Sequence, residues 1–277
     1  MAGTGRPARN GPLSLLSMVR PLRSTFENWY LVGPVALLAL PSRIPPRKGI
    51  PRLFKRVIDI RLRNGYRVRC RIEESRPFVE IFALGEYDIP GFRWESQRSV
   101  LDIGASVGAA TLWFAQRAPL AHVVAVEPSA AAGQQLRQNI TMNQLGQRVD
   151  VVSAAVGGES GVGFLRTAGG PAVSGTIVAS AEESDERVSV ITLGDLLRRT
   201  EREGFDVLKM DCEGSEFDIV RTAEPGLLRR FGTIVGEYHG GEGRRIEELT
   251  EQLTAAGFRC QVRGDQMLGT FVARREG

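Results

Sequence analysis

Short apolar runs and amphipathic stretches alternate along the second two thirds of the chain. Ser99–Ile103, His122–Val126, Val151–Val156, Val207–Met210 and Thr233–Glu237 are runs dominated by Val, Ile, Leu and Ala. Continuous runs of this length predict strands buried on both faces. Between them, Ala109–Arg117, Ser129–Asn143, Leu193–Arg199, the stretch from Phe217 to Thr222 and Arg244–Ala256 read as helices, with Leu136 and Ile140 one turn apart. The alternation predicts an α/β fold built on a mostly parallel, doubly wound sheet. Phe258–Val262 and Leu268–Ala273 close the chain as a strand pair, predicting an antiparallel edge. Gly161–Leu165 and Arg187–Ile191 suggest one more pair, around a polar Gly/Ser-rich stretch at 168–186.

The first hundred residues follow a different pattern. Residues 1–12 read as a tail, and residues 13–40 as one or two short helices. Pro41–Pro51, with four prolines, reads as a linker. Asn64-Gly65 sits between alternating residues at Val57–Ile60 and Tyr66–Ile72, the signature of a β-hairpin. Pro77–Tyr87 carries Val79, Phe82 and Leu84 and reads as a short helix. Three regions result: a basic tail and helical extension (1–50), a hairpin and helix leading into the core (51–95), and the α/β domain (96–277).

Composition narrows the function classes. Of 277 residues, 42% are hydrophobic and 25% charged, ordinary values for a globular chain. The longest apolar candidate, Leu31–Leu40, holds Gly33 and Pro34 and is too short to span a bilayer. Cys70, Cys212 and Cys260 lie far apart without metal-type spacing, which argues against structural zinc and a disulfide framework. A reducing, cytoplasmic compartment is therefore expected. Net charge is +4, but residues 1–72 hold 15 basic and two acidic groups, so the remainder is net acidic. Such an arm reads as a solvated leader, with peripheral contact to an anionic membrane surface as the alternative. Aromatic residues are not interleaved through it, so no nucleic-acid partner is expected.

The end of the first core strand reads Val100-Leu101-Asp102-Ile103-Gly104-Ala105-Ser106-Val107-Gly108. Its spacing is not the G-x-G-x-x-G of a dinucleotide site, and an acid at Asp102 opposes a pyrophosphate. Glu127-Pro128 ends the next strand, where an acid can accept both hydroxyls of a ribose. A nucleoside with a cationic amino-acid tail satisfies both acids, and S-adenosylmethionine has that chemistry.

These segments resemble the FkbM family of S-adenosylmethionine-dependent methyltransferases over about residues 78–240. Besides the two loops, the resemblance rests on Asn139 and Asn143, on Ala154-Ala155-Val156-Gly157, and on Glu80-Ile81-Phe82 with Gly85 and Tyr87. Its most specific part is Leu208-Lys209-Met210-Asp211-Cys212-Glu213-Gly214-Ser215-Glu216, followed by Glu237. Ser106 departs from the Asn of many members. The resemblance implies a Rossmann-like class I methyltransferase fold carrying the N-terminal helical and hairpin extension. It also implies that Asp102, Gly104, Ala105, Ser106 and Gly108 hold the methionine end, with Glu127 and Pro128 at the ribose and Ala154 or Ala155 at the adenine. Asp211 and Glu213 are implied to stand near the sulfonium and the acceptor.

An alcohol acceptor must lose a proton, and His239 is the expected general base by intrinsic pKa, with Asp211, Glu213 and Glu237 as neighbouring candidates. These four could also hold Mg²⁺ or Mn²⁺, but they lack tight ligand spacing, so no metal is expected. Glu216 is expected to cap a helix, Lys209 to pair with an acid, and His122 to be structural. Phe26, Trp29, Tyr30, Tyr87 and Trp94 either line the acceptor pocket or pack the extension onto the body. The function expected is O-methylation of a sugar, glycan or polyketide-type small molecule. The alternatives are N-methylation, or a non-catalytic binder on the same scaffold.

Overall fold

A computed structural model of the chain describes residues 15–32, 55–166, 176–178, 182, 185–241 and 243–276. The tail at 1–12, the proline-rich Pro41–Pro51, residues 33–40 and most of 168–186 lie outside the described residues.

Helix α1 (Leu15–Thr25) leads to the hairpin β1 (Val57–Arg61) and β2 (Arg67–Arg71), which turns at Asn64-Gly65 as its sequence requires. A helical turn at Arg76–Phe78 widens into a π-helical turn at Val79–Ala83. The core follows as β3 (Ser99–Ile103), α2 (Ala109–Arg117), β4 (His122–Val126), α3 (Ala130–Met142) and β5 (Val149–Val152). A small excursion carries β6 (Ala155–Val156), β7 (Gly161–Arg166), β8 (Thr176–Val178) and β9 (Glu186–Ile191). Then come α4 (Leu193–Arg199), β10 (Phe205–Met210), α5 (Ser215–Thr222), β11 (Phe231–His239), α6 (Ile246–Ala255), β12 (Phe258–Gly264) and β13 (Leu268–Arg275).

Among the described residues the main sheet runs β12-β13-β11-β10-β3-β4-β5. The four inner pairings from β11 to β5 are parallel, whereas β13 runs antiparallel to both β11 and β12. The chain order reverses between β3 and β10, so a crevice opens above their carboxyl ends. One apolar cluster on each face sandwiches the sheet: Val100, Trp113 and Leu136 on one, Leu101, Leu208 and Leu249 on the other.

Two differences from the sequence reading bear on the site. Val151–Val156 is not one strand. Ala154 turns into the main core while Ala155 joins the satellite sheet β6-β9-β7-β8, so the run divides between two sheets. Strand β11 extends past Glu237 to His239, because β13 keeps pairing with it through Tyr238↔Gly269 and His239↔Leu268. His239 therefore ends a strand rather than following one.

The extension shares its core with the body. Leu22, Phe26, Val68, Cys70 and Phe78 lie in the same cluster as Val100 and Trp113. Tyr87 and Trp94 pack against Trp113 and Phe114, and Phe26 is fully buried. Those aromatics hold the extension to the body, whereas Tyr30, 65% exposed, does not.

Candidate functional site

The loop after β3 can make its turn only through residues with positive φ: Gly104 at +77°, Ser106 at +48° and Gly108 at +102°. A Cβ on Gly104 would stand 1.8 Å from the Asp211 carbonyl oxygen, so only glycine lets the ends of β3 and β10 meet. Glu127, at the end of β4, is buried and closes this loop. Its two oxygens accept the Ser106 N–H at 2.8 Å and the Ser129 N–H at 2.9 Å. Burial pushes its carboxyl up to about 7 despite those two bonds. Each oxygen keeps a free lone pair for a further donor.

Asp102 takes a different position from the one expected. It is 0% exposed, accepts the Thr111 hydroxyl at 2.6 Å and faces the Lys209 ammonium at 3.0 Å. The carboxylate supports the loop from beneath and is not presented to the crevice, because an unpaired buried charge would be costly. Lys209, 2% exposed, also donates to Gly104 O at 2.7 Å and to Ile103 O at 3.2 Å. Burial alone would lower its pKa, but Asp102 and Asp211 outweigh that and hold it above the usual lysine range.

The helix motif of Asn139 and Asn143 has a plain physical use. Asn139 accepts the Arg69 N–H at 2.8 Å and donates to Arg69 O and Val107 O. Asn143 makes the matching pair with Arg67. The two amides extend the hairpin's edge as a neighbouring strand would, and Asn139 ties that hairpin to the loop between Gly104 and Gly108.

Beside this cradle, β10 and β11 bring acids together. Asp211 follows β10, and Glu237 and His239 alternate on one face of β11 while Tyr238 buries on the other. A cluster forms in which one ligand atom each from Asp211, Glu237 and His239 lies within 4.8 Å of the others. Glu213, with φ +54°, reaches within 3.5 Å of His239 Nε2. Glu216 is fully buried and does more than cap α5. It accepts the Cys212 N–H at 2.5 Å and the Gly214 N–H at 2.8 Å, and lies 3.6 Å from His239 Nδ1.

His239 is not a free base here. Burial works to lower its pKa, but Glu216 and Glu213 overcome it and push the imidazole up to about 9. That shift favours the protonated ring at neutral pH. Burial raises Glu213 and Asp211 as well, against the pull of His239 and Lys209.

Two acids escaped the sequence reading as site residues. Glu80 and Glu86 come from the widened helical turn and its exit, where Glu86 N–H bonds to Glu80 O at 3.2 Å. Burial, then Glu237 and Glu80, push Glu86 up to about 8. The available signal was an acid on each side of an apolar run, Glu80 before Ile81-Phe82-Ala83-Leu84 and Glu86 after it. Ala154 and Ala155 stand buried where the chain leaves β5. His122 lies at the opposite, amino end of the sheet, 2.8 Å from Asp150.

The family model for the methyltransferase FkbM domain matches residues 102–260, more than half of the chain. The chain belongs to the FkbM methyltransferase family. Among curated proteins, this methyltransferase is 26% identical over 254 residues to the AMB antimetabolite synthetase AmbE of Pseudomonas aeruginosa, covering 76% of this chain. It spans only 12% of that protein's length. It is also 26% identical over 223 residues to the methyltransferase sdnD of Sordaria araneosa, covering 68% of this chain and 85% of sdnD. Solved structures with a similar outline include a precorrin-6y C5,15-methyltransferase from Geobacter metallireducens, at 13% identity, with 65% of this chain and 80% of that one covered and a TM-score of 0.40. The N-terminal domain of human METTL16 in complex with SAH is another, at 15% identity, 68% and 65% coverage and a TM-score of 0.39. No helix among the described residues is long and apolar enough to cross a membrane.

Proposed function

We propose that this methyltransferase uses S-adenosylmethionine to methylate a hydroxyl of a sugar, glycan or polyketide-type small molecule. The observation that carries the reading is the cradle of Gly104, Ala105, Ser106 and Gly108, closed by Glu127 and bordered by an acid-lined edge.

The cradle fits the cofactor on its own chemistry. Ser106 Oγ is buried with no hydrogen-bond partner among the described residues, so it has capacity for a ligand. Glu127 offers two carboxylate oxygens, each with a lone pair left after its backbone bond, which matches the two hydroxyls of a ribose. Pro128 shapes the turn after it, and Ala154 and Ala155 supply small apolar surface for the adenine. When bound, the cofactor would supply an activated methyl group, with its sulfur as the leaving group for in-line attack by the acceptor.

The chain's own contribution is placement and proton handling. Backbone N–H groups of the cradle and Glu127 orient the donor, while Lys209 and Asp102 hold the loop beneath it. Glu213 takes the acceptor's proton. It sits at the rim, half-buried, with its pKa raised by burial and its carboxylate free of backbone bonds. His239 stands 3.5 Å from Glu213 and helps position it at the rim. An alcohol needs such an acceptor more than a neutral amine does, which favours oxygen over nitrogen.

Calorimetric titration with S-adenosylmethionine, S-adenosylhomocysteine and NADH tests the cofactor. Binding of both sulfur nucleosides and none of NADH is expected; NADH binding alone would reject the reading. Labelled methyl transfer to a panel of sugars, polyketides and amines then tests the acceptor, and label on amines alone would replace O- by N-methylation.

A further inference from the structure

We propose that Asp211, Glu237 and His239 bind one divalent cation of the Mg²⁺ or Mn²⁺ kind at the acceptor end of the crevice. The ion's role rests on the methyltransferase reading; its binding does not.

The strand register builds the donor set. β10 and β11 pair in parallel with Met210 opposite Gly236, so the next residues, Asp211 and Glu237, are side by side. His239 lies two residues beyond Glu237 on the same face of β11. Gly236 permits the approach: a Cβ there would stand 2.0 Å from Met210 O. The three ligand atoms already lie within 4.8 Å of one another. Around an octahedral ion neighbouring ligand atoms are roughly 3–4 Å apart, so side-chain rotation suffices to close the set. Two carboxylates and one imidazole suit Mn²⁺ well and Mg²⁺ adequately.

The surroundings lack a counter-ion of sufficient charge. Among the described residues no hydrogen bond or ion pair reaches the carboxylates of Glu237 or Glu86. The nearby cations bind other groups more closely: Lys209 lies 3.0 Å from Asp102 and only 3.9 Å from Asp211, and Arg76 pairs with Glu80 at 2.9 Å. His239 Nδ1 makes no close hydrogen bond, and the nearest acid to it, Glu216, stands 3.6 Å away. The imidazole ligates as the neutral ring, its proton displaced by the ion. Three protein ligands leave positions open for oxygens of the acceptor. An acceptor hydroxyl held there gives its proton to Glu213. Its oxygen then forms the bond to the methyl carbon as the carbon–sulfur bond breaks, with the electron pair left on sulfur.

The test is titration of Mn²⁺ into the purified full chain, with the free ion followed by electron paramagnetic resonance. About one ion per chain should bind, weakened at least tenfold in Glu237→Gln and in His239→Gln. His122→Gln, which alters the His–Asp pair at the far end of the sheet, should bind as the wild type does. Thermal unfolding identifies any variant that fails to fold, and Asp211→Asn then takes its place. No stoichiometric binding at millimolar Mn²⁺, or binding that survives both substitutions, overturns the site. S-adenosylhomocysteine titrated in the presence of chelator separates the two readings. Nucleoside binding without Mn²⁺ binding removes the ion alone. Mn²⁺ binding without nucleoside binding keeps the ion site and removes the cofactor assignment.

Discussion

On the β3–β4 side of the crevice, every carboxylate that shapes the site has partners inside the fold. Asp102 has Thr111 and Lys209, and Glu127 has two backbone N–H groups. On the β10–β11 side, Asp211, Glu213, Glu237, Glu80 and Glu86 crowd against one another. Only Glu80 has a close arginine, Lys209 reaches Asp211 only at 3.9 Å, and His239 serves two acids at once. The first side is preassembled and binds something whose hydrogen-bonding groups are fixed in advance. The second holds excess negative charge that a bound cation, proton or acceptor must relieve. On the proposed reading, the rigid half meets the methyl donor and the uncompensated half meets the acceptor.

The strongest way to break the comparison is to disturb the paired side at its centre. Lys209→Met should lower unfolding stability by about 3–5 kcal/mol, because Asp102 would remain buried without its cation. Adding Asp102→Asn should recover part of that loss, since the stranded charge is gone. Denaturant unfolding of the single and double variants measures both. A single variant as stable as the wild type would mean that Asp102 is not held by charge.

Glu127→Gln probes binding on the same side, with the loss of one loop bond, because an amide nitrogen cannot accept the Ser106 or Ser129 N–H. Loss of charge-assisted bonds should weaken S-adenosylhomocysteine by about 1.5–3 kcal/mol in calorimetry. The wild type adds a pH signature. With Glu127 pushed up to about 7, cofactor affinity should hold at pH 8 and fall towards pH 6, as protonation removes the acceptor for the ribose hydroxyls. In Glu127→Gln that dependence should disappear; an equal slope in both proteins would place the ribose elsewhere.

Asn139→Ala tests whether the hairpin belongs to the rigid half. It removes bonds to Arg69 and Val107 at once and should cost about 1–2 kcal/mol of stability, with faster hydrogen exchange along Arg67–Arg71. Unchanged exchange there would show the hairpin held by its apolar packing alone.

How much of this was legible in the sequence follows the same division. The strands and helices of the core announce themselves through local periodicity, and β3, α2 and β4 match the sequence reading at both ends. The positive-φ loop and Glu127 were also legible, because each is a local signal at the end of a strand. Asp102's orientation was not, since its partner Lys209 is more than a hundred residues away and meets it only through the register of β3 and β10. Nor was the state of His239. An isolated imidazole suggests a base, but the two glutamates that keep it protonated come from α5 and the loop before it, brought near by the packing of α5 on β11. The split of Val151–Val156 was hidden because an alanine pair looks the same whether it continues one sheet or passes between two.

The mildest test addresses the uncompensated side. Glu86 is pushed up to about 8 by burial and by the negative charge of Glu237, Glu80 and Asp211, with Lys209 pulling the other way. A carboxyl raised above its unfolded value contributes its stability below the ordinary glutamate range, and loses that contribution as pH rises through about 8. In the presence of chelator, Glu86→Gln should therefore match the wild type near pH 5 and exceed it near pH 9, by on the order of 1 kcal/mol. Denaturant midpoints at the two pH values read this directly. Equal midpoints at pH 9 would mean that Glu86 ionises without penalty and that the acceptor edge is better solvated than its burial implies. A difference that closes when Mn²⁺ is added would show instead that the edge carries its excess charge only until a cation arrives.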